Sequence, residues 1–279
     1  MSFKTLTTIV TDREADATAL AVAREMAERW SAHLDVHCLG IDPARYEPLP
    51  VGSAAVIMET GAAEARARAD ELESWVRETL PSDMASLAVE GLVVPNLGLD
   101  AAAARLARYS DLVVAAKPYG EGRHPTQVAI LESVLFGTGA PVLVVPPSEA
   151  RLRRFERIAI AWNESDEAMA AVRKALPFLV AAESVDIVLV DPPSHSPERS
   201  DPGGAICVML ARHGVRAEVS ILARTLPRAS DVILRFLKEH ATDLLVMGAY
   251  GHSRFREAIL GGATRDILES ADLPVLMAH

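Results

Sequence analysis

The chain repeats itself, and the repeat constrains its fold more than any other feature. Leu6 to Thr11 is a short strand-like run that ends at Asp12. Ile158 to Trp162 is another that ends at Asn163, 151 positions later. Both are followed by acidic and small residues, then by long Ala-rich helical patterns over 15–30 and 168–180. His33-Leu-Asp35-Val-His-Cys-Leu39 faces Ser184-Val-Asp186-Ile-Val-Leu-Val190, with Asp186 again 151 positions after Asp35. Further on, Asp111-Leu-Val-Val-Ala and Asp243-Leu-Leu-Val-Met stand 132 apart, and both copies close on Pro-Val-Leu, at Pro141 and Pro274. The fall in offset from 151 to 132 gives the first copy about nineteen extra residues, most naturally within 42–68.

A duplication with a period of one domain length makes two complete domains and not a solenoid. The expected domains are 1–147 and 156–279, joined by a proline-led polar linker at 148–155. Each copy reads strand, long helix, strand, variable segment, strand, helix, strand, short helix, strand. Short apolar strands alternating with helices imply parallel pairing with right-handed crossovers. The fold class is therefore α/β: two tandem doubly wound domains, each a five-stranded, mostly parallel sheet flanked by helices. Ligands in such sheets sit at the carboxyl ends of strands, near a switch in strand order. Asn163, Val190 and Gly248 all fall at such ends in the second copy.

Gly248-Ala-Tyr-Gly251-His252-Ser-Arg254-Phe-Arg256-Glu-Ala-Ile-Leu-Gly261-Gly262-Ala263-Thr264 follows the apolar run Asp243-Leu-Leu-Val-Met247 and leads into a helical pattern. Glycine lets backbone N–H groups approach an anion, and a helix start offers unpaired donors and partial positive charge. A strand, a glycine loop and a helix start in that order make a phosphate cradle. At the same place in the first copy stand Ala116 and Tyr119, then Val128, Ala129 and Leu131. Side chains fill the cradle there, so the first copy reads as degenerate: a structural partner, or a pocket for some other ligand.

Charge and motif content narrow the chemistry. A formal net charge of −10 argues against nucleic acid or an anionic membrane as the main partner. No apolar run approaches the ~20 residues of a membrane span. The start meets a charge too early for a signal-peptide core, so a cytoplasmic protein is expected. Cys38 and Cys207 read as reduced, buried thiols. His33 and His37 fall in a strand pattern and lack a carboxylate cluster at ligand spacing, so no metal site is expected. A Gly-x-Ser-x-Gly elbow, a P-loop lysine and a Gly-x-Gly-x-x-Gly fingerprint are missing from the sequence. Asp12, Asp16, Glu164, Asp166 and Glu167 gather where helices start, and helix capping accounts for them better than acid–base catalysis. The stretch 59–79 reads as an amphipathic helix with Trp75 as a candidate anchor.

With these residues in hand, the chain resembles a tandem universal stress protein. Nucleotide-binding members of that family carry glycine, two residues, glycine, nine residues, glycine, then Ser or Thr. Gly248, Gly251 and Gly261 match, while Gly262 stands where the hydroxyl is expected and Thr264 lies two residues on. The resemblance implies an adenine nucleotide (ATP, ADP or AMP), with Mg as an accompanying ion. Gly251, His252, Arg254, Gly261, Gly262, Ala263 and Thr264 would hold phosphates and ribose. Ala161, Trp162, Asn163, Val190, Met247 and Gly248 would frame the base. Asn163 replaces a usual Asp, and Glu164 a usual glycine. The implied function is non-enzymatic, a ligand-dependent interaction or assembly in stress response. The alternatives are a small-molecule module that has lost nucleotide binding, and a slow ATPase or nucleotidyl-transfer enzyme. The resemblance also implies that the final strands at Val142 and Val275 pair edge to edge, an intrachain pseudo-dimer, with a homodimer as a further assembly.

Overall fold

A computed structural model describes residues 3–43, 54–80, 84, 86–149, 154–192, 200–249 and 262–279, with residues 54–58 as backbone only. The chain divides into two compact units, Phe3–Ala140 and Pro141–His279. In the first, β1 (Thr5–Val10), β2 (His33–Asp42), β3 (Leu87–Pro95) and β4 (Leu112–Ala116) lie in the order β3-β2-β1-β4, all parallel. The connections are α1 (Arg13–Trp30), α2 (Ala54–Thr79) and α3 (Leu99–Ala107), and α4 (Pro125–Thr138) follows β4. The chain moves from β1 outwards to β3 and then returns to the other side of β1. Right-handed crossovers therefore place α1 and α2 on one face and α3 and α4 on the other.

The second unit holds β5 (Val142–Val145), β6 (Arg157–Ala161), α5 (Asp166–Leu179), β7 (Ser184–Val190), α6 (Gly204–Arg212) and β8 (Ala217–Leu222). It continues with α7 (Ala229–Glu239), β9 (Leu244–Gly248), α8 (Ala263–Ser270) and β10 (Val275–Ala278). Its strand order is β5-β10-β9-β6-β7-β8, parallel except that β5 runs antiparallel to β10. Leu143 pairs with Leu276 there, so the final strands of the two repeats do lie side by side as the resemblance implied. The doubly wound α/β architecture and the mostly parallel pairing are as read from the repeat.

The repeated aspartates explain why each first strand starts where it does. Asp111 Oδ2 accepts from the N–H groups of Lys4 (2.7 Å) and Thr5 (3.0 Å). Asp243 Oδ2 accepts from Glu156 (3.0 Å) and Arg157 (2.8 Å) in the same way. One carboxylate thus gathers the donors that would be left open at the start of β1, and again at β6.

The extra length of the first copy lies in α2, 26 residues against nine in α6. Ala65, Ala69, Leu72 and Val76 are buried along one stripe, while Trp75 is only half-buried. The stripe lies so close to the sheet that a Cβ at Gly40 would stand 1.7 Å from the Ala65 carbonyl oxygen. At the outer edge of β3, Glu73 Oε2 accepts from Gly91 N–H (2.8 Å) and Arg77 donates to the Val89 carbonyl (2.7 Å). Glu73 and Arg77 also pair with each other at 2.7 Å. Two side chains thereby take the place of a missing neighbouring strand.

Cys38 is buried on β2, where burial pushes its thiol up to about 12; Cys207 is half-exposed. Among the described residues no helix is long and apolar enough to cross a membrane.

Candidate functional site

The second unit switches its strand order between β6 and β9. These strands are neighbours, yet the crossover from β6 leads to β7 while β9 is reached from the far edge, so their carboxyl ends mark the switch in strand order. Ala161 ends β6 beside Val188 and Met247. Trp162 continues the ladder by donating its backbone N–H to the Val188 carbonyl (2.9 Å). Its side chain is 7% exposed, and the buried indole Nε1 has no acceptor among the described residues. An unmade buried hydrogen bond of this kind costs about 1–3 kcal/mol.

Beyond Trp162 the chain turns. Asn163 is exposed, and its Oδ1 accepts from Ser165 N–H (3.3 Å). Ser165 caps α5 by accepting from Ala168 N–H (3.1 Å), a role that belongs to neither Glu164 nor Asp166. The Ser-Asp-Glu opening of α5 carried that signal in the sequence. Glu164 sits at φ 61°, in the left-handed region. This explains in backbone terms why the resemblance expects glycine there, and a side chain at that φ is strained by ~1 kcal/mol or more. Val190 ends β7 half-buried and is followed by Asp191 at φ 45°, whose carboxylate accepts from Arg224 N–H (3.2 Å).

On the β9 side, Met247 is 6% exposed and Gly248 ends the strand. Gly248 has a packing reason that the sequence did not announce. A Cβ there would stand 2.6 Å from Ala168 N and 2.7 Å from Glu167 C, in the first turn of α5. Its bare Cα lets the start of α5 press against the end of β9.

Gly262, Ala263 and Thr264 open α8. Gly262 is its N-cap, at φ −85° and ψ 158°, and has no side chain to accept from the first-turn N–H groups. Ala263 is exposed, whereas Thr264 is 3% exposed. The substitute hydroxyl read from the sequence therefore faces inward. Asp266, one turn on, is 9% exposed and accepts from Arg228 (2.7 Å) and Ser230 (3.0 Å), which locks α8 to α7. Gly251, His252, Arg254 and Gly261 lie outside the described residues.

The equivalent end of the first unit is arranged differently. Asp12 caps α1 by accepting from Glu14 and Ala15 N–H (3.0 Å each), and Arg68 of α2 donates to its other oxygen (3.1 Å). Asp16 is 4% exposed, and its Oδ2 accepts from Thr11 N–H (2.8 Å), Asp12 N–H (3.1 Å) and the Thr11 hydroxyl (3.2 Å). Burial nevertheless raises its pKa above the ordinary carboxylate range, against those hydrogen bonds and the nearby Arg123. Arg123 donates to the Ala15 carbonyl. Ala116 carries a Cβ where Gly248 has none. Val128, Ala129 and Leu131 lie inside α4, which starts at Pro125 with Gln127 accepting from His124 N–H (2.8 Å). Among the described residues no group of three His, Cys, Asp or Glu side chains is placed to hold a metal ion.

Two tandem doubly wound units, each with a switch in strand order, define an α/β protein of the doubly wound class. Residues 154–279 match the family profile described as the universal stress protein family. A curated universal stress protein from Synechocystis is 29% identical over 153 residues, which is 53% of this chain; the match spans about half (50%) of the length of that relative. A universal stress protein from Archaeoglobus fulgidus has a similar structure, with a TM-score of 0.66 at 13% identity over 98% of this chain and 95% of its own. A functionally unknown protein from Pseudomonas aeruginosa gives 0.58 at 15% identity, over 99% and 92%. The second half of the chain is thus similar to the universal stress protein family, and the whole chain shares its fold with the Archaeoglobus fulgidus protein.

Proposed function

We propose that the second unit binds an adenine nucleotide (ATP, ADP or AMP) in the crevice between β6 and β9, and that the bound state alters an interaction or an assembly. The observation that carries this reading is the switch in strand order itself. It brings Ala161, Trp162 and Asn163 beside Met247 and Gly248, at a switch in strand order, where doubly wound sheets take their ligands. The start of α8, at Gly262, has no side-chain cap and presents first-turn N–H groups of the kind that phosphate oxygens accept from. Gly251, His252, Arg254 and Gly261 complete the motif in sequence. Glycine spacing within a matched universal stress protein domain supports a nucleotide over an unspecified small molecule.

The function is binding rather than turnover. At this end of the second unit Asp166 and Glu167 lie in the first turn of α5, which Ser165 opens, and the sequence carries no P-loop lysine. Any Mg²⁺ would arrive on the phosphates. The first unit, whose strand end is occupied by its own Asp12, Asp16 and Arg68, serves as structural partner. We place the domain boundaries at 1–147 and 156–279.

Thermal melting with AMP, ADP and ATP tests the proposal, since a ligand at 100 times its Kd stabilises the folded protein by ~2.7 kcal/mol. No shift at millimolar concentration of any of the three defeats it. Mass spectrometry of small molecules released from protein purified without added ligand names the occupant.

A further inference from the structure

We propose that the outer edge of β8 is an interaction surface, where a second copy of this chain adds its own β8 antiparallel to form a homodimer. The inference is independent of the nucleotide reading and stands or falls without it.

β8 ends the strand order, with β7 on one side and no strand on the other. The carbonyls of Arg216 and Leu222 accept from Val185 and Asp191 N–H on the β7 side (2.9 Å each). Pairing alternates along a strand, so the N–H and C=O groups of Ala217, Val219 and Ile221 point away from the sheet. Among the described residues these groups meet only the thiol of Cys207, a weak donor 3.4 Å from the Ala217 carbonyl oxygen. The first unit treats its outer strand differently, since Glu73 and Arg77 of α2 take up Gly91 N–H and the Val89 carbonyl. The counterpart α6 has no acidic residue and a lone Arg212 at its end, so it brings no such pair to β8.

The side chains along this edge complement themselves. Val219 lies under the start of α6, where a Cβ at Gly203 would stand 3.3 Å from its Cγ1. Ala217 and Ile221 share that face; Ala217 is half-buried, whereas Ile221 is 55% exposed. A two-fold axis normal to the sheet at Val219 sets Val219 opposite its equivalent, and each Ile221 opposite Ala217 of the other copy. Every outward-facing residue then exchanges both backbone hydrogen bonds, and the large exposed side chain meets the small one. On the other face Glu218 stands opposite Ser220. Moving the axis one residue back sets Glu218 opposite Glu218, and one residue forward leaves Ala217 without a bonded partner. The chain already uses a joint of this kind, because β5 and β10 pair antiparallel through Val144 and Val275, Leu143 and Leu276, and Val142 and Met277. A register that complements itself fits a second copy better than an unrelated extended segment.

Sedimentation equilibrium of the full chain gives the dimer dissociation constant and tests the proposal. Ile221→Lys puts a charge against Ala217 of the other copy, and Val219→Pro removes an outward N–H while leaving the bonds to β7. Each is expected to raise the constant by about a hundredfold. Val180→Lys changes a similarly exposed residue (53%) at the end of α5 and should leave it unmoved. Ser220→Glu sets glutamates opposite one another across the joint and should weaken the dimer about fivefold, whereas Ser220→Lys should tighten it. A native chain that stays monomeric up to about 100 μM overturns the proposal and leaves the edge to some other partner. So does a dimer that Ile221→Lys and Val219→Pro leave intact, or that Val180→Lys disrupts equally. The same shift from Ser220→Glu and Ser220→Lys overturns the two-fold register. If Val219→Pro fails to fold, Ile221→Lys and the two Ser220 variants decide.

Discussion

Thr11 and Trp162 end the first strands of the two repeats, and their surroundings differ in kind. Around Thr11 every strong polar group is taken by the chain itself: Asp16 collects three donors, and Asp12 is held by α1 and by Arg68. Around Trp162 the indole lacks an acceptor, Asn163 is exposed, and two acidic residues hold left-handed backbone at the ends of β6 and β7. The common scaffold is built by the same residues in both units, as Asp111 and Asp243 show. Self-satisfaction at one strand end and open valences at the other distinguish the two units, although β3-β2-β1-β4 and β8-β7-β6-β9 follow one order.

The largest way to break this comparison is at the strand that faces the helix start. Gly248→Val should destabilise the protein by ~3 kcal/mol, because its Cβ meets backbone atoms of Glu167 and Ala168 that cannot retreat as a side chain would. Ala116→Val at the corresponding site in the first unit should cost less, and calorimetric melting compares the pair. Equal losses would show that Gly248 is not a packing glycine.

Next comes the carboxylate cluster. Asp16→Ala strands the N–H groups of Thr11 and Asp12 and should cost ~2 kcal/mol by urea unfolding. Glu167→Ala, its counterpart, should change stability by less than ~0.5 kcal/mol. If the two lose the same amount, the strand ends are not differently satisfied.

A smaller effect depends on pH. His37 occupies the position where the second copy has Val188, and burial lowers its pKa below 6.5 despite the attraction of Asp35 and Glu90. As pH falls through about 6.5, the unfolded chain takes up a proton that the folded chain refuses, so stability is lost between there and the lower folded value. His37→Val should flatten that part of the stability–pH curve. An unchanged slope would assign the acid sensitivity to other groups.

The smallest effect sharpens the reading of α8. Gly262→Ser supplies the missing N-cap acceptor at a backbone conformation open to any residue, and should raise stability by only a few tenths of a kcal/mol. If the hydroxyl is also what the glycine motif lacks, AMP affinity rises by more than the added stability. A gain in melting temperature alone would mean that the serine caps the helix and leaves the ligand untouched.

Much of this was legible in the sequence, because the repeat compares the chain with itself. The order of elements along the chain and the repeated aspartates follow from positions held at fixed offsets, and the final strand pair from the family resemblance. What was not legible depends on approach between distant segments. Gly248 read as a ligand glycine, and its contact with α5 is about eighty residues away in sequence. Thr264 read as a spare hydroxyl, yet its place in the first turn of α8 buries it. Trp75 drew notice by its size, while the small residues Ala65 and Ala69 seat α2, because only they let the helix approach Gly40. The unmet N–H of Trp162 could not be seen at all without the packing around it.

The cover over β3 has a consequence for how the chain can vary. Glu73 and Arg77 lie on a surface helix where exchange between charged residues is ordinarily neutral. Here they stand in for a peptide unit, one supplying the acceptor and the other the donor. Swapping the two, or replacing Arg77 by Glu, would leave composition and helix propensity almost untouched while opening a row of donors and acceptors to any passing extended segment. The length added to the first copy therefore acts as a safeguard on solubility, and drift at these two exposed positions would be felt as precipitation rather than as loss of binding.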